Sequence, residues 1–337
     1  MSLSKTLQRL VAGEDLSTDQ AAAAMHEVLT GNISPSLLAA FLIALRMKGE
    51  TVDELVGFVR QMRVHAVHIH SRHPVLLDTC GTGGDGLRTF NISTLASLLI
   101  AACDVPVAKH GNRSVSSACG SADLLETLGV NISMPALATQ RCLEKIGYAF
   151  LFAPAFHPAL KKVAAVRKEL GVRTVFHALG PLCNPAGANC RLLGVSDPGL
   201  VAKVVQVLKR LKVKSALVVS GADGMDEVSL AADTQVFRLR AGKISRFLFR
   251  PESVGMKRVK PQALVGGDAN ENAAIARAVL RGQRGPKRNA VVLNAAFGLM
   301  AADAVKNIRQ GIRMAECALD SGVAQNKLNQ LVQATQR

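Results

Sequence analysis

The chain has 337 residues, 49% of them hydrophobic and 20% charged. That composition excludes disordered, collagen-like and coiled-coil proteins and leaves room for two domains, or one large α/β unit with an appendage. A formal net charge of +16 admits a polyanionic partner, which only the placement of the charge along the chain can support or weaken.

Residues 1 to about 70 read as helices. Thr18 to Leu29 is Ala-rich, Ser34-Pro35 opens a helix as N-cap and first helical residue, and Leu37 to Met47 has helical apolar spacing. After the Gly49-Glu50 break, Thr51 stands as an N-cap with Glu54 at the capping-box position. The pattern changes at Pro74: Val75-Leu76-Leu77-Asp78-Thr79 predicts a strand running into a glycine loop, with a helix from Ser93. Val105 to Ala108 predicts a second strand before a loop and a helix over 121–128. Leu192 to Val195 leads into a helix over 198–211, and Ala216 to Ser220 is a further strand. This alternation is that of an α/β fold with a mostly parallel sheet. Between Pro158 and Leu182 there is no strand signal, and helices there can pack on the N-terminal block. The expected division is a small helical domain, 1–72 joined by about 160–184, and an α/β domain over 73–337. Val236 to Leu239 and Ile244 to Phe249 read as a hairpin around Ala241-Gly242-Lys243, and the chain from Asn270 onward reads as helical.

The longest apolar stretch, Leu95 to Ala108, is broken by Ser97 and Asp104, short of the about 20 residues a membrane span needs. Met1 to Lys5 runs into a mixed polar segment without a signal-like apolar region, so a cytoplasmic location is expected. Seven cysteines contain no C-x-x-C pair and read as buried small hydrophobes. Between Arg238 and Arg288 thirteen Lys and Arg face three acids, a net +10. With no Trp and one Tyr, Tyr148, stacking platforms for bases are scarce, so a solvated basic face is favoured over a nucleic-acid groove.

Gly81-Thr82-Gly83-Gly84-Asp85-Gly86 places four glycines between a strand and a helix, which lets backbone amides approach an anion that the helix N-terminus also favours. An ordinary tight turn is the bland alternative. The spacing is neither that of a dinucleotide loop nor that of a P-loop. Asn91-Ile92-Ser93-Thr94 adds hydrogen-bonding side chains where the helix begins, unless these serve only as caps. Lys109-His110-Gly111-Asn112-Arg113-Ser114-Val115-Ser116-Ser117 combines two fixed cations, an imidazole and neutral donors after the second strand. That mixture suits phosphate and hydroxyl oxygens. Two such loops at the carboxyl ends of strands in one sheet imply a shared crevice. Asp226-Glu227 follows Gly221-Ala222-Asp223-Gly224; taken alone it reads equally as a solvated acidic turn, but carboxylates on a turn can converge, and beside a phosphate site a divalent cation such as Mg²⁺ would relieve their repulsion. Arg167, on a predicted helix, reads from spacing alone as a surface charge.

Taken in order, these segments resemble the anthranilate phosphoribosyltransferase family. The matching pieces are Asp78 to Asp85, Asn91 to Thr94, Lys109 to Ser117 with Gly120-Ser121-Ala122-Asp123, His157-Pro158-Ala159 through Arg167, Leu179-Gly180-Pro181-Leu182 with Asn184-Pro185, and Asp223 to Glu227. Ala40 to Glu50 and Gly266-Gly267-Asp268 with Asn272-Ala273 extend the likeness over nearly the whole chain. The resemblance implies that Gly81, Gly84, Asp85, Thr89, Asn91, Ile92, Ser93, Thr94, Lys109 to Ser117 and Ser121 bind phosphoribosyl pyrophosphate. It places Asn112 and Arg167 on anthranilate and two Mg²⁺ per subunit on Ser93, Asp226 and Glu227. It gives Lys109 and Arg167 electrostatic and positioning roles with no acid or base residue, and it implies a homodimer acting in tryptophan biosynthesis. His177 stands where an asparagine is expected, and Ala118-Cys119 where a Lys-Ser pair is common. The competing readings are a phosphate-dependent nucleoside phosphorylase on a related fold and a transferase-like relative that binds nucleic acid.

Overall fold

The computed structural model describes residues 2–114 and 118–336. Four helices, α1 (Leu3–Val11), α2 (Thr18–Thr30), α3 (Pro35–Lys48) and α4 (Val52–Val64), form an N-terminal bundle. Their starts follow from side chains. The Ser17 hydroxyl accepts from the Gln20 amide while the Gln20 carboxamide accepts from the Ser17 amide, and Thr51 and Glu54 form the same reciprocal pair. Glu54 is fully buried and does more than cap: its oxygens also accept from the Leu16 amide at 3.0 Å and Lys48 Nζ at 3.1 Å. One carboxylate therefore ties three segments of the bundle together.

The α/β body contains β1 (Leu77–Gly81), α5 (Ile92–Ala102), β2 (Val107–Gly111), α6 (Ser121–Thr127), α7 (Ala136–Ile146), β3 (Tyr148–Phe152), β4 (Cys190–Gly194), α11 (Pro198–Arg210), β5 (Ser215–Gly221), β6 (Thr234–Arg240) and β7 (Lys243–Phe249). Between β3 and β4 lie α8 (Ala153–Phe156), α9 (Lys161–Leu170) and α10 (Val175–Leu179). Helices α12 (Ala269–Leu280), α13 (Pro286–Ala301), α14 (Ile308–Asp320) and α15 (Val323–Thr335) close the chain. The sheet order is β3-β2-β1-β4-β5-β6-β7; the pairs among the first five strands are parallel, and β6 and β7 add an antiparallel hairpin. The hairpin turns through Ala241 and Gly242, both in the left-handed region at φ 47° and 73°, as a tight turn between twisted strands requires.

The alternation of side chains along each strand divides the core in two. Leu192, Leu217 and Val219 face a cluster that includes α5, α13 and α15. Leu193, Ala216 and Val218 face the opposite cluster, shared by α11, the N-terminal bundle and the residues Val163, Val166, Val175, Phe176, Leu179 and Leu182. The chain thus leaves the sheet after β3, packs against the bundle through α9 and α10, and returns at β4. Truncating a wholly buried side chain such as Leu193 to alanine is worth about 2–5 kcal/mol.

Two expectations need amending. The sequence reading has no strand at β3, a buried apolar run that follows α7 directly through Gly147 at φ 67°; with a helix on one side and no turn cluster, periodicity gives it no separate signal. The cysteines are not uniformly buried: Cys317 is exposed and Cys80 half-buried. Among the described residues no helix is long and apolar enough to cross a membrane.

Candidate active site

Strand order reverses between β1 and β4, and such a switch point opens a crevice beyond the carboxyl ends of the two strands. Their last residues, Gly81 and Gly194, pair in register. A Cβ on Gly81 would strike the Asp226 carboxylate, and one on Gly194 would strike the Asp226 backbone. Two facing glycines therefore allow the turn after β5 to lie directly over the switch point, with Asp226 Oδ2 accepting from the Gly83 amide at 2.6 Å. Gly83, Gly84 and Gly86 sit at φ 66°, 71° and 72°, a region that glycine enters without steric cost.

Glu227 reaches the start of α5, where its Oε1 accepts from the Ser93 amide at 3.0 Å. Carboxylates are favoured at a helix N-terminus, yet burial raises this carboxyl well above its ordinary range, and repulsion from Asp226 adds to the shift. Asp226 is raised as well, first by burial and then by Asp85. Lys109, 2% exposed, donates to the Thr79 carbonyl at 2.6 Å and approaches Ser93 Oγ at 3.4 Å. Burial lowers its pKa against the attraction of the surrounding acids. The arrangement is a buried cation beneath two half-buried, mutually repelling carboxylates at a helix N-terminus. Among the described residues no three His, Cys, Asp or Glu side chains form a complete metal cage. Two carboxylates and a hydroxyl with coordination sites left open suit Mg²⁺, which keeps waters and substrate phosphates as ligands.

Other residues singled out from sequence fall into place unevenly. Asp85 accepts from the Leu87 amide at 3.1 Å, and Thr89 bridges to Val265. Asn91 does not cap α5 with its side chain; it donates to the Cys119 carbonyl at 3.1 Å and accepts from Asn272 Nδ2 at 3.0 Å. Ile92 and Thr94 are buried. His110 is held by a buried network, its amide donating to Asp78 Oδ1 at 3.0 Å and its Nδ1 to the Gly180 carbonyl at 3.2 Å. Asp78 is itself paired with Arg191 at 2.6 Å, both wholly buried. Asn112 is exposed, and its carbonyl accepts from Ser121 Oγ at 3.2 Å, which joins the Lys109 loop to the first turn of α6. A Cβ on Gly111 would strike Ser121 Oγ. Arg113 turns onto α6, pairing with Asp123 at 2.9 Å and Glu126 at 2.8 Å. The Ser114 and Gly120 amides both donate to Asp123 Oδ2, at 3.0 and 2.9 Å. Val115, Ser116 and Ser117 lie outside the described residues.

On the bundle side, Arg167 projects from α9 with its guanidinium carbon 5.4 Å from the centre of the Phe176 ring. Among the described residues its Nε has no hydrogen-bond partner, and burial lowers its pKa. A half-buried guanidinium with a donor unused can accept a planar anion as its partner. His177 sits in the first turn of α10, where its Nδ1 accepts from the Thr174 amide at 3.1 Å, a hydrogen bond that an asparagine side chain could also accept. Burial, then the Arg167 charge, lowers its pKa and favours the neutral ring.

Gly194, Arg173 and Ser196 carry no site signal in the sequence, and Asn272 enters there only as part of a matching segment. Arg173 Nη1 donates to the Gly84 carbonyl at 3.2 Å and to Ser196 Oγ at 2.8 Å. Asn272 accepts from the Gly267 amide at 2.9 Å while donating to Asn91. Gly194 ends the strand beside the glycine loop, a placement that strand pairing alone reveals.

Family models described as "Glycosyl transferase family, helical bundle domain" and "Glycosyl transferase family, a/b domain" match residues 4–66 and 73–325. The chain is 52% identical over 330 residues to the anthranilate phosphoribosyltransferase of Moorella thermoacetica, covering 98% of this chain and 97% of that one. The chain belongs to the anthranilate phosphoribosyltransferase family. A crystal structure of the Thermus thermophilus member superposes with a TM-score of 0.93 at 42% identity, over 98% of this chain and 99% of that one. The Saccharomyces cerevisiae member in complex with PRPP and Mg superposes at 0.90 with 26% identity, over 99% and 98% of the two chains. The expected fold, a helical bundle joined to an α/β domain with a mostly parallel sheet, is the family's and is the one found here.

Proposed function

We propose that this chain transfers the phosphoribosyl group of phosphoribosyl pyrophosphate to the amine of anthranilate, releasing pyrophosphate, as a step of tryptophan biosynthesis. The observation that carries the reading is the turn Asp226-Glu227 seated over Gly81 and Gly194 beside the buried Lys109, in a chain similar over its full length to enzymes of that name. The matches favour this over the nucleoside phosphorylase and nucleic-acid readings.

The donor's phosphates would lie along the Gly81–Gly86 loop, the α5 N-terminus and the Lys109–Ser114 loop, where amides and a cation are already in place. As pyrophosphate departs, negative charge grows on it, and fixed donors aimed at that charge stabilise the transition state more than the ground state. Ser93, Asp226 and Glu227 would hold Mg²⁺, two ions per subunit, which would supply charge neutralisation at the leaving group. Lys109 is the chain's own share of that neutralisation. Arg167 and Asn112 would grip the anthranilate carboxylate and point its amine at C1 of the ribose. An aromatic amine is neutral near pH 7, so its lone pair is available without a base, and orientation supplies the advantage.

The chain would act as a homodimer in the cytoplasm. The test is the loss of anthranilate fluorescence on mixing protein, Mg²⁺, phosphoribosyl pyrophosphate and anthranilate, with chelator in a parallel cuvette. Consumption that requires all components is expected; none with the full mixture sinks the reading.

A further inference from the structure

Arg173 lies in the connection between α9, which carries Arg167, and α10, which carries His177. Its neighbours Val166, Val175 and Phe176 belong to the core shared with the bundle, yet its guanidinium reaches the glycine loop of the α/β body. A single nitrogen, Nη1, makes both bonds, to the Gly84 carbonyl at 3.2 Å and Ser196 Oγ at 2.8 Å. The Ser196 hydroxyl donates in turn to the Gly83 carbonyl at 3.0 Å, and its amide donates to Thr82 Oγ1 at 3.2 Å. Two consecutive carbonyls of the loop are therefore held from one side.

A peptide unit whose carbonyl is fixed also has its amide fixed, because the unit is planar. Glycine adopts the left-handed conformations of Gly83 and Gly84 cheaply, but it adopts many others as cheaply, so a loop rich in glycine keeps one shape only if something outside it does the holding. Asp226 holds the Gly83 amide, and Ser196 and Arg173 are the restraint on the carbonyls; Arg173 comes from the segment that also presents Arg167.

We propose that Arg173 is a positioning residue: acting with Ser196, it fixes the Gly83 and Gly84 carbonyls so that the loop amides keep their aim at the phosphoribosyl donor, and it joins that loop to the segment holding the acceptor. The proposal rests on the transfer reaction above. Arg173 acts through the loop and does not touch substrate.

The experiment compares Arg173→Ala, Arg173→Lys, Ser196→Ala and the double Arg173→Ala/Ser196→Ala variant. A hydrogen bond to a charged group is lost, so the KM for phosphoribosyl pyrophosphate should rise about tenfold in Arg173→Ala, with the anthranilate KM within about twofold of the parent. Because one nitrogen makes both bonds, the lysine variant should recover most of the loss. Ser196→Ala should shift the same KM, and the double variant should be no worse than Arg173→Ala. An equal rise in both KM values, or a silent Ser196→Ala with no rescue by lysine, overturns the proposal; the second pattern would mean that the guanidinium contacts the donor directly. Hydrogen exchange of the Gly83–Gly86 amides in ligand-free protein gives a readout independent of turnover. Faster exchange in Ser196→Ala and Arg173→Ala supports the restraint, and unchanged exchange overturns it even if the parent proves to have no transferase activity. Should Arg173→Ala fail to fold, the lysine and Ser196 variants decide.

Discussion

Neutralising the acidic turn separates its contribution to stability from its contribution to turnover. Asp226→Asn with Glu227→Gln keeps the shape, and each amide oxygen can still accept from Gly83 and Ser93. Only charge is lost, and that charge is unfavourable in the ligand-free fold, since burial raises both carboxyls and repulsion from neighbouring acids adds to it. A raised carboxyl pKa means the folded state binds more protons than the unfolded one, so stability falls as pH rises from the ordinary carboxylate range towards neutrality. The variant escapes that fall. At an effective dielectric near 20, two like charges at close range repel by at most about 4 kcal/mol. Lys109 attracts Glu227 and the turn is half-buried, so a net gain of about 1–2 kcal/mol is expected after screening, or about 2–3 °C for a chain of this length. Thermal unfolding in chelator should put the variant above the parent at pH 7.5, with a smaller gap at pH 5. With Mg²⁺ and phosphoribosyl pyrophosphate at 100 times the dissociation constant, the parent gains about 2.7 kcal/mol and the variant does not, so the order of melting inverts while turnover of the variant collapses. A variant that melts below the parent in chelator at pH 7.5, or a gap that narrows as pH rises, refutes the reasoning.

Arg167→Ala should raise the anthranilate KM by about tenfold or more, the loss of a charge-assisted bond, and leave the donor KM unchanged in steady-state kinetics; equal effects on both would remove Arg167 from the acceptor. The buried Asp78–Arg191 pair gives a sharper result, because Arg191 Nε and Nη2 have no partner among the described residues. Arg191→Met leaves Asp78 buried and unpaired and should lower stability by about 3–5 kcal/mol. Adding Asp78→Asn should recover much of this in denaturant unfolding, whereas additive costs would show that the ion pair is more than compensated for its desolvation.

The local features were legible because they depend on neighbours in sequence. Thr51 and Glu54 cap α4 as their spacing requires, the hairpin turns at Ala241-Gly242, and the alternation of strands and helices announces the sheet. The proximity of the glycine loop to Asp226 was legible only through chemistry, as two features that each suggest a phosphate site. What could not be read is what strand pairing creates. Gly194 matters because it stands beside Gly81 in register, and Ser196 because it follows Gly194 to the same end of the sheet. Arg173 is one arginine among many until the excursion between β3 and β4 carries it back to the loop. The segment around α9 and α10 lacks a strand signal and reads as a companion of the bundle; its apolar side chains lie in a cluster shared by the bundle, α11 and one face of the sheet. A sequence pattern reports which face is apolar but not which loop a long side chain will meet.

The basic window from Arg238 to Arg288 shows how linear charge counts mislead. Asp303 pairs with Arg238 at 3.7 Å and Arg240 at 3.0 Å, Asp233 with Arg250 at 3.4 Å and with Arg258, and Asp320 with Arg288 at 2.7 Å. All three acids lie outside the window in sequence and beside it in space. The remaining cations are spread over β7 (Lys243, Arg246), the connection between the single-turn helices Pro251–Val254 and Pro261–Leu264 (Lys257, Lys260), helix α12 and the residues after it (Arg277, Arg281, Arg284) and α13 (Lys287), so they belong to several elements and not to one groove. A duplex tracks a continuous stripe and releases one counterion for each phosphate neutralised, which makes log affinity fall with log salt by about 0.9 per contact. Scattered and partly paired cations can engage only a few phosphates at once. Titration of a labelled DNA duplex at several salt concentrations should therefore give a slope no steeper than about −3 and binding no tighter than the about 10⁻⁴–10⁻⁶ M of non-specific association at physiological salt. A slope of about −6 or steeper, with affinity surviving at physiological salt, would mean that these cations do form one surface and that the ion pairs with Asp233, Asp303 and Asp320 open to make it.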